Sequence, residues 1–176
     1  MLRHHHLALV AACVCAAPAA AQPAGSVTGS VTLAGKPVAL TYIYSRTASF
    51  IPAGESENMF REVRILLSDR PLTDEEVVNH TQDGQPRTIR FTGVRIDFRQ
   101  PGSTWVALHL FNAGGPGSHV EQPAADGRFA GVTLSDLTFK GETLSATVKT
   151  QGPHANPAGM PGTYSFDVHF AAPLER

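Results

Sequence analysis

EVRILLSDRPLTDEEVVNH, residues Glu62 to His80, joins a strand, a stop and a helix start. Val63, Ile65 and Leu67 alternate with Arg64 and Ser68, the period of a half-buried strand, while Leu66 interrupts the polar side. Asp69-Arg70-Pro71 ends the strand, because proline fixes φ, lacks a donor and turns the residue before it away from helix. Thr73 and Glu76 then have the spacing of a capping box, in which the hydroxyl accepts an orphan N–H and the carboxylate accepts the cap's own N–H. Leu72 and Val77 occupy the two positions of a hydrophobic staple, and Asp74 and Glu75 set negative charge at the positive end of the helix. The spacing predicts a short helix over about residues 74–80. Read functionally, these carboxylates form an acidic patch for a metal or a basic partner; read structurally, they serve the helix start, where each already has a local role.

Outward from this stretch the chain reads as strands. Val27, Val31 and Leu33 alternate with Thr28, Ser30 and Thr32, with Gly29 leaving a gap on the apolar face, and Ala34-Gly35-Lys36-Pro37 makes a tight turn. Val38, Leu40, Tyr42 and Tyr44 form one face of a second strand and Ala39, Thr41, Ile43 and Ser45 the other. Arg46 to Arg61, with Pro52, Gly54 and Glu55-Ser56-Glu57-Asn58, reads as a loop.

Beyond the helix a long strand is expected from Arg87 to Phe98. Ile89 and Phe91 are apolar in one phase and Val94, Ile96 and Phe98 in the other, so a β-bulge at Thr92-Gly93 would keep both sets on one side. Arg95, Asp97 and Arg99 make a plus-minus-plus row on the opposite side, a solvated face or an anion site. Trp105, Ala107, His109 and Phe111 face away from Val106, Leu108 and Leu110, and apolar character on both sides places this strand between two layers, with His109 as a hydrogen-bonded core residue or else a ligand or acid/base group. Phe129 to Phe139 and Leu144 to Thr150 read as a hairpin across Lys140-Gly141-Glu142 whose phase slips near Asp136. Tyr164, Phe166, Val168 and Phe170 alternate with Ser165, Asp167 and His169 in a closing half-buried strand.

The first residues have the character of an export signal. Arg3 precedes an apolar run from Leu7 to Ala17, and Ala19-Ala20-Ala21 before Gln22 has the A-x-A form, so residues 1–21 read as a cleaved signal peptide of bacterial character and a periplasmic or secreted location is expected. In the alternative reading Val10-Ala11-Ala12-Cys13 is a lipoprotein signal with lipid on Cys13. Cys13 and Cys15 are the two cysteines of the chain, so a product starting at Gln22 has no disulfide and no thiolate site. Residues 22–176 then suffice for a single domain. Fourteen Lys and Arg against fifteen Asp and Glu leave no electrostatic footprint for nucleic acid, and no further apolar run is long enough to span a membrane.

Beyond the leader, His80, His109, His119, His154 and His169 form no H-x-H or H-E-x-x-H spacing, so no metal or cofactor site is expected. Ser118 in Gly-Pro-Gly-Ser-His lacks the second glycine of a G-x-S-x-G elbow, and Gly114-Gly115-Pro116-Gly117 lacks the lysine of a phosphate loop. The two Gly/Pro-rich segments, Asn112 to Gly127 and Gln151 to Gly162, are where a ligand would be met, because long loops in compact domains carry function. They bring His119 and His154, with Glu121 and Asp126 nearby, as candidate ligand-binding residues; Tyr42 and Tyr44 are candidates for an aromatic platform, or else core.

The expected fold is all-β: an antiparallel two-layer sandwich or flattened barrel of about eight to ten strands with one short helix. The expected function is an exported, non-enzymatic binding or accessory domain for a protein or small-molecule ligand, acting through its long loops or a sheet edge. A small hydrolase or metal enzyme built on the loop histidines is one alternative. A lipocalin-like carrier, with the Tyr42/Tyr44 face lining a cavity, is the other.

Overall fold

The computed structural model describes residues 25–50, 60–82, 88–100, 104–114, 119–121, 131–155 and 162–174. Among them eleven strands and one helix form two antiparallel sheets. The six-stranded sheet contains β1 (Ser26–Leu33), β2 (Lys36–Ala39), β8 (Val132–Lys140), β9 (Thr143–Thr150), β10 (His154–Ala155) and β11 (Thr163–Pro173) in the order β2-β1-β11-β9-β8, with the two-residue β10 paired to β11. The five-stranded sheet runs β3 (Tyr42–Phe50), β4 (Phe60–Ser68), β5 (Gly93–Gln100), β6 (Thr104–Phe111) and β7 (His119–Glu121), in chain order. This is the two-layer all-β sandwich the alternation calls for.

The sandwich interior is aliphatic and aromatic. Val31, Val148, Phe166, Val168 and Phe170 from one sheet meet Ile43, Val63, Ile65, Leu67, Ile96, Phe98 and Leu108 from the other, and Phe98 and Phe170 approach to 6.3 Å between ring centres. The closing strand β11 lies between β1 and β9, with Tyr164, Phe166, Val168, Phe170 and Ala172 buried in strict alternation. Leu33 pairs with Lys36 across Ala34-Gly35, both at positive φ, so the expected tight turn is a two-residue hairpin loop. The β8–β9 hairpin closes over Gly141-Glu142, and its slip is a one-residue bulge between Ser135 and Thr138, with Asp136 at φ 54°.

The strand expected from Val38 through Ser45 is two strands. β2 ends at Ala39, the chain crosses between layers where the Leu40 N–H bonds to Gly29 and that of Thr41 to Ser68, and β3 begins at Tyr42 in the other sheet. Leu40 and Ile43 enter the sandwich core, whereas Tyr42 and Tyr44 turn to the outer face. The loop expected over Arg46 to Arg61 is also shorter, since β3 continues to Phe50 and β4 starts at Phe60. Their sequences hide the strand because β3 has a neighbour on one side only and carries a polar run. Residues 51–59, with Pro52 and the polar run after it, lie outside the described residues.

The helix α1 spans Asp74–Thr81, with Thr73 as N-cap and both bonds of the capping box formed with Glu76. It lies on the outer face of the five-stranded sheet, where a second apolar cluster gathers Tyr44, Leu66, Leu72, Val77, Ile89, Phe91 and Phe111. Leu66 thus has its explanation: the polar side of β4 is covered. The same cluster corrects the expected bulge at Thr92-Gly93. β5 starts at Gly93, and Ile89 and Phe91 pack on the outer face while Val94, Ile96 and Phe98 pack inside, so the change of phase is a change of core. Gly93 is where the chain changes side, and a Cβ there would sit 2.2 Å from the Leu67 carbonyl oxygen and 2.9 Å from the Phe91 ring. The register irregularity of this hairpin falls between Asp97 and Phe98, with the extra residue on β6.

Candidate functional site

The covered face of the five-stranded sheet holds the densest polar chemistry among the described residues. Glu62 and Arg64 on β4, Arg95 and Asp97 on β5 and His109 on β6 are all buried, each at most 9 % exposed. Pairing sets Arg64 opposite Asp97 and Arg95 opposite His109, which brings alternate residues of three strands into one patch. Arg95 and Asp97 therefore form no solvated row, because α1 closes over them; the side chain of Arg99 lies outside the described residues. His109 is the buried, hydrogen-bonded residue its apolar strand suggests.

Burying a charge costs several kcal/mol unless it is paired and hydrogen-bonded. Here each carboxylate faces a guanidinium. The Arg64 guanidinium donates to Glu62 Oε2 at 2.9 and 3.3 Å, and Arg95 Nη2 donates to Asp97 Oδ2 at 2.9 Å. Both arginines also reach the end of the helix, where the last carbonyls have no partner within α1. Arg64 Nη1 donates to the Thr81 carbonyl at 2.6 Å and Arg95 Nη1 to that of His80 at 3.0 Å. Two cations from the sheet thus sit on the negative end of the helix, where its dipole favours them. Burial raises the Asp97 carboxyl, but the His109 ring and the Arg95 guanidinium beside it outweigh that and hold it below the usual carboxylate range.

The other end of α1 is fixed as firmly. Arg70 donates to Glu76 and to the Arg90 carbonyl, and Asp69 Oδ1 accepts from the Thr92 N–H. Glu76 also accepts from the Thr73 N–H at 2.9 Å; the bond from Arg70 and the box together lower its carboxyl below the ordinary value despite partial burial. The carboxylate read as part of an acidic patch is thereby engaged within the fold.

No family model, curated protein or solved structure matches this chain.

Of the candidates, Tyr44 is buried under α1 and its phenol oxygen accepts the Leu72 N–H at 2.9 Å, while Tyr42 packs against the same cluster, half-buried. Burial raises the Tyr44 phenol above its usual value. This face is the outside of a sheet and does not line the space between the layers. His154 lies on β10 in the six-stranded sheet; its Nε2 is 3.1 Å from the Gly131 carbonyl and its ring lies against Tyr164. His119 lies on β7 at the edge of the other sheet, paired with Leu110. Its side chain and that of Glu121, with Ser118, Asp126 and the loop segments 115–118, 122–130 and 156–161, are outside the described residues. Among the described residues no group of three His, Cys, Asp or Glu is placed to hold a metal ion, and no helix is long and apolar enough to cross a membrane.

One open concavity borders α1. It is a groove of about 740 Å³ lined by Arg70, Glu75, Asn79, His80, Thr88 and Arg90, with Thr73 and Glu76 at one end. His80 stands edge-on to Phe91 and Phe111, at 5.0 and 5.4 Å between ring centres, so the groove wall rests on the second apolar cluster. Periodicity could not have found this groove, because it is made where two non-adjacent segments, α1 and residues 88–90, lie side by side.

Proposed function

We propose that the protein is an exported binding or accessory domain that meets a protein or small-molecule ligand at its surface and leaves the ligand chemically unchanged. The observation that carries this reading is the division of labour among its polar side chains. Asp97 and His109, the groups best suited to acid–base chemistry, are sealed under α1, and Arg64 and Arg95 beside them are used to hold it. Beside α1, Asn79, Thr88 and Arg90 lie along an open groove suited to hydrogen-bonded recognition. The outer sheet edges β7 and β8 and the Gly/Pro-rich segments are further candidate surfaces for such a contact.

The test is native mass spectrometry and site-specific photo-crosslinking of the full chain in its host, with the crosslinker at Asn79 or Thr88 and with Arg90→Glu as the disrupting variant. Binding predicts one recurrent adduct through the groove that Arg90→Glu removes. The reading is overturned by turnover of an ester, glycoside or peptide panel that His119→Ala or His154→Ala abolishes.

A further inference from the structure

Beneath the last turn of α1 one ring nitrogen faces a donor and an acceptor at once. His109 Nε2 is 2.6 Å from Arg95 Nη2 and 3.4 Å from Asp97 Oδ2. A guanidinium has only donors and keeps its protons, so the short contact requires a lone pair on Nε2 and the ring proton on Nδ1. Arg95, held in this way, donates to the His80 carbonyl. A proton on Nε2 removes the lone pair, sets a second cation against Arg95 and aims an N–H at Asp97. The near oxygen, Oδ2, already accepts from Arg95, while the other, Oδ1, is buried with no hydrogen-bond partner among the described residues.

We propose that His109 is a proton-operated latch on the C-terminal turn of α1. Neutral, it holds Arg95 across the His80 carbonyl; protonated, it pairs with Asp97 and lets Arg95 go. The groups around it make the exchange one-sided. Glu62 pairs with Arg64 and Asp97 with Arg95, and protonation of His109 adds a positive charge to a buried patch that already holds two guanidiniums. From β5 the ring faces Arg95 and Asp97, with Arg64 and Glu62 on β4 beyond Asp97. From α1 comes His80, whose ring contacts Phe91 and Phe111, and β7 pairs with His109 through Val120. Arg64 keeps its bond to Thr81, so the opening is confined to the last turn.

Amide exchange by NMR on the full chain, corrected for the intrinsic rate, at about pH 7.5 and about pH 5 reads this directly. Protection of the last-turn amides, including Gln82, which donates to Val78, should fall about tenfold on acidification, the equivalent of one charge-assisted hydrogen bond. Protection of Phe166 and Val168 should hold. The midpoint should coincide with the titration of the His109 ring signals in the same sample, a comparison that needs no variant. His109→Gln, which keeps an acceptor but does not titrate, should be flat, and His80→Gln should respond as the unaltered protein does. A last turn equally protected at both pH values, a midpoint that follows the His80 ring, or a response that survives His109→Gln overturns the proposal.

Discussion

Arg64→Met isolates the way α1 is seated. The side chain is 8 % exposed, makes two bonds to Glu62 and one to the Thr81 carbonyl, and occupies a patch closed by the helix. Methionine keeps most of the volume, so the loss is electrical: the Glu62 carboxylate stays buried without its cation and the helix loses a charge-assisted cap. Breaking one partner of a buried pair costs about 3–5 kcal/mol, which would lower the urea midpoint by about 1.5–2.5 M at a slope of about 2 kcal/mol/M. That is a large fraction of a total stability of about 5–15 kcal/mol. Glu62→Gln combined with Arg64→Met removes the orphaned charge, so the double variant should be more stable than Arg64→Met alone and keep mainly the cost of the lost cap, about 1.5–3 kcal/mol. Urea unfolding followed by far-UV circular dichroism measures all three proteins. An Arg64→Met midpoint equal to that of the unaltered protein, or a double variant weaker than the single by the full cost of a second independent loss, would refute the buried pairing.

Thr73→Ala should cost about 1 kcal/mol, because it removes the acceptor for the Glu76 N–H at 3.2 Å, and the loss should appear in thermal melts. Gly93→Ala should destabilise by about 1–3 kcal/mol or more, since the new methyl meets a backbone oxygen and a packed ring; an unchanged melting temperature would contradict the described crossing. On acidification, the depressed carboxyls of Glu76 and Asp97 give stability that is full above their unfolded values and is lost as pH falls through the lower folded ones, a decline expected below about pH 4 in urea midpoints. The raised Tyr44 phenol acts at the other end: its contribution is full below the unfolded value of about 10 and is lost as pH rises through the folded one, a high-pH loss that Tyr44→Phe should remove.

How far these features were legible depends on whether they are written locally. The helix start was readable because Leu72, Thr73, Glu76 and Val77 act on one another within a single turn, and the closing strand because one face of Tyr164 to Ala172 is buried without interruption. The second core was signalled twice, by Leu66 on the polar side of β4 and by the phase change between Phe91 and Val94. Both signals state only that a face is covered, and neither names the cover. The row of Arg95 and Asp97 carries the same ambiguity: alternating charge on a strand looks alike whether water or a helix end lies above it, and the carbonyls of His80 and Thr81 that decide the matter are remote in the chain. The groove beside α1 was not legible at all, since its walls are joined through contacts such as Arg70 to the Arg90 carbonyl.

The chain changes core between Phe91 and Val94, which sets α1 over the outer face of the five-stranded sheet. Side-chain NOEs from the Phe91 ring test it most directly. The two-core arrangement predicts contacts to His80 and Phe111, with none to Val148 or Phe170; contacts from Phe91 to Val148 or Phe170, the partners of one continuous bulged strand, would contradict it.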